Sequence, residues 1–304
     1  MARCALCWVF LASPFRLHAQ DAADIVAAIE NVTVAAIAKA EQSVVAIARV
    51  RRDRNATNRA ATNALSLGLS LGLNDPLSNP DFVPSFFGSG VVISEDGFIV
   101  TCGHVLGDPR ENDYYVWLDR RSYAARVVGM PAKVLASDPF SDLAVIKIDG
   151  QNLKPIEYAD TSRLRKGRFV IALGNPDAIA RDGQASASWG MISNLNRIAP
   201  SDTDDVSLAK ETIHQYGTLI QTDAKLNLGT SGGALVDLEG KLVGLTTSLS
   251  AQLGNDSAAG FAIAADDLFR RVVSQLQLGK LPEFGFLGIQ PEELRHSEKR
   301  RGMH

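Results

Sequence analysis

Cysteine is almost absent from the body of this chain. Of three cysteines in 304 residues, Cys4 and Cys7 lie at the extreme N-terminus and only Cys102 falls further in. A disulfide framework is therefore excluded, and stability must come from buried apolar surface. With 46% hydrophobic residues the chain has material for one large core or two modest ones. An excess of one charge is missing too. The formal net charge is -3, which offers no electrostatic footing for nucleic acid. No apolar run reaches the ~18 residues of a membrane-spanning helix. Paired metal-ligand spacing is also lacking: His18, His104, His214, His296 and His304 stand apart, so neither a metal nor another cofactor is expected.

What the chain does have is a glycine-rich serine turn. Gly229-Thr230-Ser231-Gly232-Gly233 lies within Gln221 to Leu235, between two apolar, strand-like runs. Such a turn can expose a hydroxyl at a strand end with backbone N–H groups close by, the local geometry of an acyl-transfer nucleophile. The pattern fits both the G-x-S-x-G elbow of α/β-hydrolases and the nucleophile turn of trypsin-like proteases. Chain order separates them, because the elbow enzymes place acid and histidine after the serine. After Ser231 only His296 and His304 remain, both in a charged tail. Upstream, Phe98-Ile99-Val100-Thr101-Cys102-Gly103-His104 ends an apolar run on a histidine. Ser141-Asp142-Leu143-Ala144-Val145 then opens another run on an acid. The order His104, Asp142, Ser231 is the trypsin-like one. Asp138, four residues earlier and before Pro139, is a rival acid suited to a turn.

Several segments resemble the HtrA (DegP-like) family of trypsin-fold serine proteases. They are Gly88-Ser89-Gly90-Val91-Val92-Ile93, Val100-Thr101 leading into His104, Ser141 to Val145, Ala172-Leu173-Gly174-Asn175-Pro176, Gln221 through Ser231, and Gly260-Phe261-Ala262-Ile263. The resemblance spans about residues 43 to 290. It implies Ser231 as nucleophile, His104 as general base and Asp142 as the acid that orients the imidazole. The N–H groups of Gly229 and Ser231 would form the oxyanion hole, with Thr230 shaping the turn. The family usually has prolines where Leu228 and Ala234 stand, Asn at Thr230, and a small or Asn pair at Cys102-Gly103; no triad side chain is lost. The resemblance places Leu249 in the pocket for the residue before the scissile bond. Thr247 lies beside it, and Trp189, Gly190 and Met191 form the opposite wall. That pocket is small and apolar, so cleavage after Val, Ala or Ile is expected, with Lys225 solvated. The resemblance also implies unfolded or damaged polypeptides as substrates, a homo-trimer or a multiple of it, and activation by loop rearrangement. A catalytically idle, chaperone-like binding module is the competing reading, motivated by the non-consensus residues around Ser231 and His104.

Short β-type runs recur along the chain at turn-rich spacing, about six before Pro155 and six after it, which reads as all-β and as two small barrels. With the resemblance, the expected fold is a two-barrel trypsin-like (chymotrypsin) serine protease fold over 43–278. An N-terminal helix is expected over 24–42, where Ile25, Ile29, Val32, Ala36 and Ala40 recur at helical spacing, and a second helix closes the core from about Ala265 to Leu276. The first either joins protomers or packs on the barrel. The insertion 51–87 opens basic and carries a leucine repeat at Leu65 to Leu73; it is either an intermolecular, partly ordered loop or a mobile one. Residues 1–23 fit a secretory signal peptide and leader, with Leu17 a poor match at −3, the alternative being a disordered or mis-assigned start. An exported, periplasmic or secreted protein is expected. In 279–304, Phe284 to Ile289 resembles the opening of a PDZ domain, too short for its remaining sheet, so no C-terminus recognition of the PDZ type is expected.

Overall fold

The computed structural model describes residues 19–52, 84, 86–118, 121–127, 137–150, 152–175, 184–198, 212–247 and 260–285. The expected leader up to residue 18, the leucine repeat and the PDZ-like segment beyond Gly285 lie outside them. Seven strands make the first sheet: β1 (Val44–Arg51), β2 (Phe86–Val92), β3 (Phe98–Cys102), β4 (Asn112–Leu118), β5 (Arg121–Val127), β6 (Ser137–Asp138) and β7 (Leu143–Ile148). Their order is β3-β2-β1-β4-β5-β7-β6, and antiparallel pairing of β3 with β7 returns the sheet on itself. The second set is β8 (Phe169–Gly174), β9 (Ser186–Arg197), β10 (Leu219–Thr222), β11 (Ala234–Val236), β12 (Leu242–Thr247) and β13 (Gly260–Ala264). These close into a barrel, β10-β13-β12-β11-β8-β9. The fold is the expected all-β pair of barrels.

The sequence of β1 shows why its strand signal is a continuous apolar run. Val45 and Ile47 enter the main core, while Ala46 and Ala48 meet Trp117 on the other face. A strand covered on both faces buries every residue, not every second one. β2 begins at Phe86, four residues before the apolar run at Gly90, because Phe86 and Phe87 pair with Arg49 and Ala48. β9 continues past Ile192 to Arg197 although Ser193-Asn194-Leu195-Asn196-Arg197 carries no strand pattern. There the partner β10 supplies the order.

Among the described residues, two helices flank the barrels. α1 (Ala19–Ala40) starts before residue 24, and of its apolar stripe only Ala36 and Ala40 are buried in the main core. Ile25, Ile29 and Val32 stay about half exposed, at 55%, 48% and 45%. A third, four-residue helix, α2 (Gly103–Leu106), follows β3 and carries His104. α3 (Asp267–Gln277) starts at Asp266, whose carboxylate accepts the Phe269 N–H at 3.0 Å, an N-cap. Phe269, Val272, Val273 and Leu276 make one buried face against β7, so the helix that leaves the second barrel covers the first.

Histidine 214, in the 3₁₀ turn Ile213–Tyr216, ties this second half to the segment before Asp142. Its Nε2 lies 3.0 Å from the Ser141 carbonyl and its Nδ1 2.8 Å from the Thr218 hydroxyl. A carbonyl only accepts, so Nε2 carries the proton and Nδ1 accepts from Thr218. Beside it the Ile213 N–H donates to the Phe140 carbonyl at 2.8 Å. Burial holds the His214 pKa below its ordinary 6.5, opposed in part by the charge of Asp142.

Two outcomes follow. Phe269→Ala is expected to cost about 3–5 kcal/mol, the usual range for an emptied aromatic site, measured as a lower urea midpoint at unchanged m. A lowered folded-state pKa means the unfolded chain takes the His214 proton first, so stability is full above pH 6.5 and declines as pH falls below it. The drop in Tm between about pH 7.5 and about pH 5 should therefore be smaller in His214→Gln than in the parent.

Candidate active site

The turn that ends on Asp142 is built by the rival acid. Asp138 accepts the N–H of Ser141 at 3.0 Å and the Ser141 hydroxyl at 2.5 Å, so its carboxylate is spent on its own turn. Asp142 then takes a left-handed conformation, φ 53°, which asparagine and aspartate tolerate better than other side chains. Its carbonyl accepts the Gly103 N–H at 2.8 Å, locking it to the start of α2. The carboxylate reaches His104 twice: Oδ1 accepts the backbone N–H at 2.9 Å and Oδ2 lies 2.7 Å from Nδ1. Because a carboxylate only accepts, Nδ1 carries the proton and the neutral ring keeps its lone pair on Nε2. That Nε2 is buried and has no hydrogen-bond partner among the described residues.

The serine turn and the residue after His104 approach the same point of β2. Gly88 of β2 is the close-approach point: a Cβ there would stand 2.6 Å from Val105, next to His104, and 3.2 Å from the Ser231 carbonyl. Ser231 itself is buried. The turn preceding it is closed by the Thr230 N–H on the Asn227 carbonyl at 3.1 Å, with Gly229 at φ 90° in third position. A positive φ there is the type II form and favours glycine. An added Cβ would in any case meet the Asn175 carbonyl at 2.5 Å and the Phe87 ring at 2.6 Å. The Thr230 hydroxyl donates to Asn227 O at 2.7 Å, tightening the same turn.

The expected pocket residues that the structure describes lie on different strands. Trp189 and Met191 lie on the outer face of β9, 40% and 39% exposed, and the Trp189 ring meets Phe169 at 4.8 Å. Thr247 is buried on β12, which is not a neighbour of β9 in the barrel. Gly190 packs on Asp223 and Ala224, and Leu249 lies outside the described residues. Lys225 is exposed. Leu226, part-buried, packs on the core of the second barrel, and its side chain would stand 2.7 Å from a Cβ at Gly260.

Cys102, isolated in the sequence, has its thiol within 4.8 Å of ligand atoms of His104 and Asp142. Burial, and then the charge of Asp142, push its pKa well above the usual value. It donates to the Thr246 carbonyl at 3.5 Å. A thiol held protonated in this way is neither a nucleophile nor a good metal ligand. It packs behind the dyad.

The sequence matches the trypsin-like peptidase domain over residues 88–245. A probable periplasmic serine endoprotease DegP-like of Pseudomonas putida is 32% identical over 207 residues, covering 68% of this chain and 38% of that protein. A probable serine protease do-like of Buchnera aphidicola is 38% identical over 210 residues, with 68% and 39% covered. Among solved structures, a variant of the HtrA-type protease AlgW with tripeptide superposes with a TM-score of 0.61 at 26% identity, over 89% of this chain and 72% of that one. The chain spans less than half the length of the curated relatives it matches. With a domain match over more than half of its residues and the two-barrel architecture in common, this chain belongs to the HtrA branch of the trypsin-like peptidase family.

Proposed function

We propose that this chain is a serine endopeptidase acting through His104, Asp142 and Ser231. The observation that carries the reading is the His104–Asp142 contact at 2.7 Å, with the buried Nε2 left without a hydrogen-bond partner among the described residues. In the reaction the Ser231 hydroxyl attacks the scissile carbonyl carbon while Nε2 takes its proton. The Asp142 carboxylate stabilises the imidazolium. The oxyanion of the tetrahedral intermediate is received by the N–H groups of Gly229 and Ser231. Collapse expels the amine, which leaves with the proton from Nε2, and an acyl-enzyme remains. Water, deprotonated by the same nitrogen, then releases the acid and restores the serine.

Polypeptides in unfolded or damaged form are the inferred substrates, in a compartment outside the cytoplasm, as the names of the periplasmic relatives support. The same reading takes in a small apolar residue before the scissile bond. Assembly as a homo-trimer or a multiple of it belongs to the same reading. The apolar residues left exposed on α1, Ile25, Ile29 and Val32, are compatible with it. No helix among the described residues is long and apolar enough to cross a membrane.

A fluorophosphonate probe on the purified protein tests the reading. Covalent labelling of the parent and none of Ser231→Ala is expected, with peptide hydrolysis lower by roughly 10⁴-fold or more in Ser231→Ala and in His104→Ala. A folded parent that never labels, with or without peptide activators, would leave the idle binding module as the surviving alternative. Gly229→Ala forces both a strained φ and a clash with Asn175. It is expected to lower kcat by about 10²–10³-fold, the scale of one lost oxyanion donor.

A further inference from the structure

The serine turn of this chain lacks an acid before its nucleophile, since Thr230 stands there. No ion pair through that position can therefore hold the turn. What holds it is a set of hydroxyls and amides from both barrels. Ser89 of β2 donates its hydroxyl to the Gly229 carbonyl at 2.7 Å and its N–H to the Ser231 carbonyl at 2.8 Å. The Asn175 N–H in turn donates to the Ser89 hydroxyl at 2.7 Å. From the opposite side Thr246 of β12 donates its hydroxyl to the Thr230 carbonyl at 2.6 Å, and the Gly233 N–H joins it there at 2.9 Å. Ser89 and Thr246 are both fully buried.

Thr246 has a particular leverage. The Thr230 carbonyl and the Ser231 N–H belong to one planar trans peptide, so they point in opposite directions. Fixing the carbonyl toward β12 fixes the N–H away from β12. We infer that Thr246 is a positioning residue, its hydroxyl setting the direction of the Ser231 amide through the Thr230 carbonyl and so preforming half of the oxyanion site. The inference rests on the reading of Ser231 as nucleophile. Backbone contacts reinforce the same brace: the Thr246 N–H donates to Gly233 O at 2.9 Å, and the Gly232 N–H donates to Thr246 O at 2.7 Å. These do not depend on the side chain. Removing the hydroxyl therefore leaves β12 docked, with the Gly233 N–H alone on the Thr230 carbonyl. The peptide plane is then free to rock about that single bond.

Valine replaces the threonine hydroxyl with a methyl group of nearly the same size, and serine restores it. In Thr246→Val, kcat for a peptide substrate is expected to fall about 10- to 100-fold, short of the complete loss of one donor, with KM within about threefold. Affinity for a peptide boronate, which mimics the tetrahedral state, should fall by the same factor as kcat. Affinity for a product peptide should not change. Thr246→Ser is expected to recover kcat to within about threefold of the parent. A merely structural role would lower the fraction folded and would move product-peptide binding and Tm together with activity. Should Thr246→Val fail to fold, Thr246→Ala gives the same comparison against Thr246→Ser. Unchanged kcat in folded hydroxyl-less variants, or a serine variant no better than they are, would overturn the inference while parent labelling still upholds the nucleophile. A parent that never labels overturns both.

Discussion

The carbonyl groups of the Gly229–Gly233 turn are the constraint on which the site depends. Four of its five backbone oxygens, those of Gly229, Thr230, Ser231 and Gly233, are turned into the protein, and each buried acceptor left without a donor costs about 1–3 kcal/mol. Every one has a partner. The Ser89 hydroxyl takes Gly229, Thr246 and the Gly233 N–H share Thr230, the Ser89 N–H takes Ser231, and the Thr246 N–H takes Gly233. The donors come from β2 of the first barrel and β12 of the second. The shape of the turn is thus a consequence of how the barrels dock, and the docking is in part a consequence of the turn.

The dyad depends on the same junction. Val105, next to His104, and the Ser231 carbonyl both press on Gly88, which has no side chain to hold them apart. Thr101, three residues before His104, donates its hydroxyl to the Ser89 carbonyl at 2.7 Å, so the residue that braces the turn is itself fixed to the strand leading to the histidine. On the acid side, Asp138 organises the turn before Asp142, and His214 clamps the Ser141 carbonyl from the second barrel. Each functional side chain is short and its reach is set by backbone, which is why so many of the interactions around it are hydroxyl or amide to carbonyl. In a water-poor setting such bonds define direction more than they add net stability.

Legibility in the sequence varied with how local the cause was. The strands β3, β7, β8 and β12 announced themselves as apolar runs because each is buried in all but, at most, an end residue or one lysine. The ends of β2 and β9 did not, since pairing with β1 and β10 orders residues that carry no strand pattern of their own. The stripe on α1 was visible as periodicity, yet periodicity does not say what covers it, and only its last turns meet the core. Trp189 and Met191 were expected as the wall opposite the pocket position that the resemblance implies. The alternation of β9 puts them on its outer face, with Gly190 and Ile192 turned the other way.

By itself the sequence determined the class of fold, the order of histidine, acid and serine, and the glycine turn around Ser231. These are carried by residue type and spacing along the chain, and they survive without knowledge of contacts. Only the tertiary structure decided that Asp142 and not Asp138 meets His104, because a turn of four residues aims one carboxylate inward at itself and the other at the neighbouring helix. It also decided that Ser89 and Thr246, unremarkable as letters 140 and 16 residues from the carbonyls they hold, brace the turn. A hydrogen bond across such separations is fixed by the packing of two barrels, and nothing in the local sequence of either partner encodes it.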